Sequence, residues 1–405
     1  MSYPDLDVLT NHVSRIFRID DVTAGAPREW IARYRGHLYG DDSVAAYDQL
    51  AEAMRPHSIT PLFRNGDDGK QIIFLAPTMQ IPRPSARITV NIVLFIFTIL
   101  SMMLTGADVP PEVATQNGSI LVIFRYILTG WPFALSMMGI LFAHEMGHYI
   151  ACRYYKVPAT LPFFLPAPLI SPLGTFGAFI AMRGVPKNKR ILFDVGVAGP
   201  LAGLAVAIPV LFYGLSISHL GSISSANSGL LEGNSLVYLF SKYLVFHKML
   251  PEPVTMNGLS PAVYWLQYFF SGYPIPFNGL DVQLDMVAWA GWGGLLVTAL
   301  NLVPVGTLDG GHVAYGLFGE RARKLFPFLI GLLIALSILP VLLTLSIASF
   351  NFSWLLWVMI LFWLGNVRAQ PLDDITELDQ PRRALAVFVL ILFILLFTPV
   401  PMVAY

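Results

Sequence analysis

Charge is what this sequence has least of. Asp, Glu, Lys and Arg make up only 12% of its 405 residues, while 55% are hydrophobic, and the mean hydropathy is +0.64. Soluble domains carry about a quarter charged residues, so an ordinary soluble fold is excluded and a multi-spanning membrane protein is expected. Neither sign dominates: 25 basic residues face 25 acidic ones. That leaves no electrostatic footprint for nucleic acid. The only cysteine, Cys152, rules out an internal disulfide and reads as a small packing residue. The first residues, MSYPDLDVLT, lack a basic region and an apolar core, so no cleaved signal is expected, and their acids argue against a transit peptide. Internal repeats and low-complexity tracts are also missing. This removes the usual mark of a transporter built from repeated halves.

What is present divides in two. Residues 1–85 are polar and read as a small soluble α+β domain. Asp41 to Met54 has a helical period with Val44, Tyr47, Leu50, Ala51 and Met54 on one face. Two apolar runs, from Ser58 to Arg64 and from Gln71 to Ala76, flank the turn-rich Asn65-Gly-Asp-Asp-Gly-Lys70 and predict a β-hairpin. Residues 86–405 form the membrane domain, with apolar runs near 87–106, 131–153, 193–216, 285–304, 324–349, 353–368 and 384–404. The run from Ile120 to Leu128 is too short to span and suits the interface. Residues 157–190, punctuated by Pro158, Pro162, Pro166, Pro168 and Pro172, cannot be a helix and suit a hairpin or re-entrant loop. The expected fold is an all-α polytopic membrane protein of about seven transmembrane helices, carrying the N-terminal α+β domain.

Basic residues orient this arrangement. With the N-terminal domain in the cytosol, the cytosolic segments hold Arg153, Lys156, Arg183, Lys187, Lys189, Arg190, Arg321, Arg323, Lys324, Arg368, Arg382 and Arg383. The opposite side holds Arg125, Lys242 and Lys248.

Within the second apolar run lies His144-Glu145-Met146-Gly147-His148. On a helix, histidines four apart share a face and can hold zinc, with the carboxylate beside them as general base. Ionisable groups in lipid are costly and usually functional, which weakens the alternative of histidines that merely pack. Catalytic zinc takes three protein ligands and leaves one position open. The run 285–304 heads toward the same side and leads to Asp309, which therefore arrives near the histidines. Asp309 reads as the third ligand, and Asp309-Gly310-Gly311 is also good turn chemistry. His312 is a rival ligand or an interfacial histidine. The chemistry implied is peptide hydrolysis by a metal-activated water, with Glu145 moving the proton.

These residues resemble the site-2 protease family of intramembrane zinc metalloproteases, in the branch shared by cyanobacteria, chloroplasts and other bacteria. The likeness rests on His144-Glu145-x-x-His148, on Leu308-Asp309-Gly310, on the stretch from Pro172 to Ile180, and on Asp194-x-x-x-Ala-Gly-Pro-Leu-Ala-Gly203. It implies one Zn²⁺ per chain held by His144, His148 and Asp309. It also implies a catalytic core over about 131–318, built on spans 131–153, 193–216 and 285–304 beside a membrane-associated hairpin. Membrane-anchored substrates would be cut within their transmembrane segments, in the inner membrane of a bacterial cell. Asn301 matches a family asparagine that handles substrate, and also reads as an interhelical hydrogen bond. Gly174 and Gly177 match hairpin glycines that expose a backbone edge to substrate, and also read as a tight turn. Asp194 reads as a helix N-cap or interfacial charge, and Gly199 with Gly203 as a helix-packing pair. An inactive, chaperone-like relative that binds membrane partners is the alternative; it should have lost Glu145 or a ligand.

Overall fold

The computed structural model describes residues 3–25, 29–66, 68–78, 88–109, 125–224, 229–256, 258–364 and 370–405. Most of the expected interfacial run at 120–128 and Arg368 lie outside them.

The N-terminal region folds around helices α1 (Leu6–Ser14) and α2 (Ser43–Met54) and strands β1 (Phe17–Ala24), β2 (Ala32–Leu38), β3 (Ile59–Asn65) and β4 (Gln71–Pro77). The strands form one antiparallel sheet in the order β1-β2-β4-β3. Asp42 caps α2 by accepting from the backbone of Val44 and Ala45. Tyr47, Leu50 and Met54 then turn inward onto Phe63 and Ile73. The predicted hairpin is β3–β4, with Asn65 paired to Gln71. Strands β1 and β2 were not read from the sequence, although Phe17-Arg18-Ile19-Asp20 and Ala32-Arg33-Tyr34-Arg35 alternate apolar and charged residues; a bulge between Ile19 and Asp21 breaks the first run. Those charges lie on the solvent side, where Lys70 pairs with Asp20.

Helices α3 (Ile88–Thr105) and α4 (Trp131–Tyr154) follow, then a short ribbon of β5 (Phe163–Pro166) and β6 (Thr175–Phe179). This is the hairpin expected from the proline-rich stretch. Helix α5 (Lys189–Ile217) comes next, capped by the side chain of Asn188, which displaces Asp194 from the capping role. Beyond it lie β7 (His219–Ser222), β8 (Leu230–Glu232), α6 (Leu236–Phe246), α7 (Pro261–Ser271) and β9 (Leu280–Gln283). The chain then returns through α8 (Met286–Asn301), α9 (Asp309–Phe318), α10 (Leu325–Thr344), α11 (Phe352–Leu364) and α12 (Gln380–Leu396), ending on β10 (Met402–Ala404).

Four helical stretches among the described residues are long and apolar enough to cross a membrane: Ile88–Thr105, Ile127–Tyr154, Lys189–Ile217 and Asp309–Thr344. The other runs expected to span, at 285–304, 353–368 and 384–404, form shorter helices of 16, 13 and 17 residues, so four of the about seven expected spans reach that length. Length alone misjudges α8. It is sheathed by α4 and α5, with Ala288, Ala290, Trp292, Leu295 and Leu296 buried, so it need not match a lipid thickness. The outside of α3, by contrast, presents Ile92, Ile96, Phe97 and Leu100, a surface suited to lipid rather than water. The molecule is an integral membrane protein, and its apolar core runs from Met102 and Phe133 through Leu211 to Leu396.

Candidate metal centre

Three elements build the site. Helix α4 carries His144, Glu145 and His148, all buried. Helix α5 packs across it at that level because Gly199 and Gly203 have no side chains there. A Cβ on Gly199 would fall 2.0 Å from Nε2 of His148, and one on Gly203 3.1 Å from Cβ of His144. The packing pair read from the sequence is thus also the space in which the imidazoles sit. The third element is the turn after α8, which delivers Asp309 as the first residue of α9. Gly310 lets that turn close, since a Cβ would fall 1.9 Å from the carbonyl oxygen of Leu302.

The donors converge. Nε2 of His144 and Nε2 of His148 are 3.2 Å apart. The two carboxylate oxygens of Asp309 lie 3.3 Å from one and 3.3 Å from the other. A tetrahedral zinc with ligand bonds of about 2.0–2.1 Å needs donor-to-donor edges of about 3.3–3.4 Å; the imidazole–imidazole edge, and the separation of each imidazole from its own nearer carboxylate oxygen, are close to that value. Chemistry agrees with spacing. Nδ1 of His148 lies 2.7 Å from the carbonyl oxygen of Val195. A carbonyl only accepts, so the ring proton sits on Nδ1 and the lone pair of Nε2 points at the other donors. Lone pairs and a carboxylate facing one another at this distance call for a cation between them. The expected ligand set His144, His148 and Asp309 is therefore a cluster in space, suited to a transition metal by its two imidazoles and one carboxylate.

A cavity of about 190 Å³ opens beside these donors, lined by Glu145, Ile180, Gly196, Asn301 and His312 among others. Glu145 is buried, and its Oε2 has no hydrogen-bond partner among the described residues. An unpaired buried carboxylate oxygen is expensive unless water or substrate meets it. Pro200 has no N–H to give to the carbonyl of Gly196, a residue of the cavity wall. Asn301, the last residue of α8, places Nδ2 3.4 Å from Nε2 of His144. His312 lines the cavity too, but Asp309 supplies the donor atoms closest to the histidines.

The hairpin glycines part company. The residues following Gly177 (Ala178, Phe179 and Ile180) form a cavity wall, and Gly177 itself, at φ +100°, has open space where a Cβ would be. Gly174 instead faces α3, where a Cβ would fall 2.7 Å from Thr105 and its carbonyl accepts from Ser101. Its place is a turn against a membrane helix. Asp194 is an interfacial charge: Arg382 donates to it at 2.7 Å, and Tyr155 donates as well.

The model of peptidase family M50 matches residues 132–344, more than half of the chain. The probable chloroplastic zinc metalloprotease EGY1 of Arabidopsis thaliana is 28% identical over 77% of this chain and 53% of its own length. The probable chloroplastic zinc metalloprotease EGY2 of Oryza sativa subsp. indica is 26% identical over 98% of this chain and 66% of its own. The chain thus spans about half the length of the first and two thirds of the second. No solved structure matches it. An HExxH helix, an aspartate meeting it from a second membrane segment, and the matching family model place this chain in peptidase family M50, the site-2 protease family.

Proposed function

We propose that this protein is a zinc endopeptidase that hydrolyses peptide bonds within the transmembrane segments of membrane-anchored proteins. The observation that carries the proposal is the convergence of two imidazole nitrogens and the Asp309 carboxylate at 3.2–3.3 Å, set beside a carboxylate oxygen left free in an apolar helix bundle. His144, His148 and Asp309 would hold the metal. When bound there, zinc polarises a carbonyl and lowers the pKa of water toward neutrality.

The chain's own residues do the rest. Glu145, one position from His144 and with Oε2 free, accepts the proton of the attacking water and returns it to the leaving amine. Val195 holds His148 in the tautomer that leaves Nε2 available. Asn301 offers its amide to a substrate carbonyl. Strand β6 is paired only with β5 among the described residues. Its free edge near Gly177 suits an unwound stretch of substrate lying alongside the cavity. Apolar packing around the donors excludes bulk water, which strengthens each of these interactions.

Orientation follows the same logic. Lys187, Lys189, Arg190, Arg382 and Arg383 lie at the end of the helices that carries the N-terminal domain, where Lys187 pairs with Asp48. Lys242 and Lys248 lie beyond the other end. This pattern supports an N-terminal domain on the cytosolic side of the membrane. The test compares the membrane proteome of a strain carrying Glu145→Gln with its parent. A truncated single-span protein present in the parent and intact in the variant supports the reading and names the substrate. Identical profiles, with zinc bound in both, would leave a membrane-binding relative without turnover.

A further inference from the structure

The N-terminal sheet does not stop at β3. Residues 372–374, between α11 and α12, add to it as a parallel edge: Phe63 donates to the carbonyl of Leu372 at 2.9 Å, and Asp374 donates to the carbonyl of Phe63 at 3.0 Å. The same segment then pairs on its other side with the lead-in to α5, where Leu372 donates to Pro186 at 3.0 Å and Asp373 to Lys187 at 2.8 Å. A continuous hydrogen-bonded ladder therefore runs from the N-terminal domain to the cap of the helix that holds His148 through Val195. Side chains reinforce it. Arg64 donates to the carbonyls of Pro371 and Leu372 at 3.0 Å each, Ser43 meets Thr376 at 2.7 Å, and Leu372 and Ile375 pack on the domain's core.

Asp374 is where the ladder meets the catalytic helices. It is buried, and one carboxylate oxygen accepts from the hydroxyl of Tyr315 at 2.7 Å and from Nζ of Lys189 at 3.2 Å. Lys189 also lies 5.9 Å from the centre of the Tyr315 ring. Tyr315 is six residues beyond Asp309 on α9, and Lys189 is six residues before Val195 on α5. At 1.5 Å per residue each lies about 9 Å along a helix from a group that touches the metal donors. A buried lysine and aspartate left without each other would be costly, so this joint is held closed.

We propose that the N-terminal domain positions the metal centre. By docking on residues 371–376 it holds Asp374, and Asp374, acting through Tyr315 and Lys189, sets the relative placement of Asp309 and His148. Asp374, Tyr315 and Lys189 are thus positioning residues. The proposal rests on the reading of the centre as a zinc site, where direct hydrogen-bond partners of the ligands are worth about ten- to a hundredfold in affinity; contacts one step further out are expected at the lower end.

The test uses the full chain in detergent and measures zinc affinity by competition with a chelator, together with hydrogen exchange over 309–318. Tyr315→Phe removes one hydroxyl, and Arg64→Met loosens the docking from the far side without touching α5 or α9. Both are expected to weaken zinc about tenfold and to speed exchange in α9, with exchange elsewhere in the membrane helices unchanged. Asp374→Asn should do more, and if it fails to fold the first two variants still decide. Parent-like zinc affinity and exchange in both would overturn the proposal, as would faster exchange everywhere, which would mark plain destabilisation. Glu145→Gln serves as reference: if it cleaves like the parent the peptidase mechanism falls, while the zinc and exchange readouts still judge the positioning role.

Discussion

Gly199 gives the most direct measure of whether the metal centre is built as described. Alanine there is chemically minimal and favourable for a helix in general, since it restricts the unfolded chain. Here its Cβ would land 2.0 Å from Nε2 of His148, 2.4 Å from Cδ2 and 2.5 Å from Cε1. Ordinary carbon contacts are about 3.5 Å or more, so the imidazole or the helix must retreat by more than ~1 Å. Metal-ligand distances tolerate only about 0.2 Å. The expected result is a zinc affinity lower by about a hundredfold, ~2.7 kcal/mol, in a chain whose helices still form. Two companions calibrate it. Gly203→Ala meets Cβ of His144 at 3.1 Å and should lose much less, because a few tenths of an ångström suffice. Gly139→Ala, on α4 with nothing within 4 Å, should leave zinc binding alone and raise the thermal midpoint slightly. The assay is chelator competition on purified protein, with the melting temperature followed in parallel. If Gly199→Ala folds like the parent and holds zinc within about twofold, the packing of α5 against His148 has been misread.

Two other outcomes are expected. A chelator selective for transition metals should abolish cleavage of a single-span substrate in proteoliposomes, and zinc should restore it where magnesium does not, because two imidazoles and one carboxylate suit a borderline-soft ion; restoration by magnesium alone would refute the donor assignment. At the far end of the molecule, burial raises the Glu232 carboxyl from its ordinary value of 4.5 to about 7, against the pull of Lys242. Between those values the unfolded chain has released the proton that the folded chain keeps, so this group lowers stability as pH rises from about 4.5 to 7. Glu232→Gln should remove that slope, seen as hydrogen exchange over 229–256 and 258–283 that changes less between pH 5 and 7.5 than in the parent; an unchanged slope would show that Glu232 does not titrate there.

How much was legible depended on the range of the interaction. The periods of α2, α4 and α5 and the turn between β3 and β4 are local, and each was readable because one stretch of chain settles it. Strands β1 and β2 escaped: a bulge between Ile19 and Asp21 breaks the first run, and the second is held in the sheet by pairing with β4 much further along the chain. Length failed as a guide for α8, because a helix sheathed by protein need not match a bilayer. Gly174 and Gly177 looked alike in sequence and were separated only by the elements they face.

The sequence alone determined the chemistry on offer: two imidazoles four residues apart with a carboxylate beside them, in a chain too apolar for water, and an aspartate-glycine turn after another apolar run. Those are properties of residue type and spacing. Only tertiary structure decided that Asp309 meets both histidines at 3.3 Å, that Gly199 is the space His148 occupies, and that β3 continues through residues 372–374 to the cap of α5. These facts join residues from about 50 to about 310 positions apart, and proximity across such distances comes from the packing of helices and sheet edges, which no local pattern encodes.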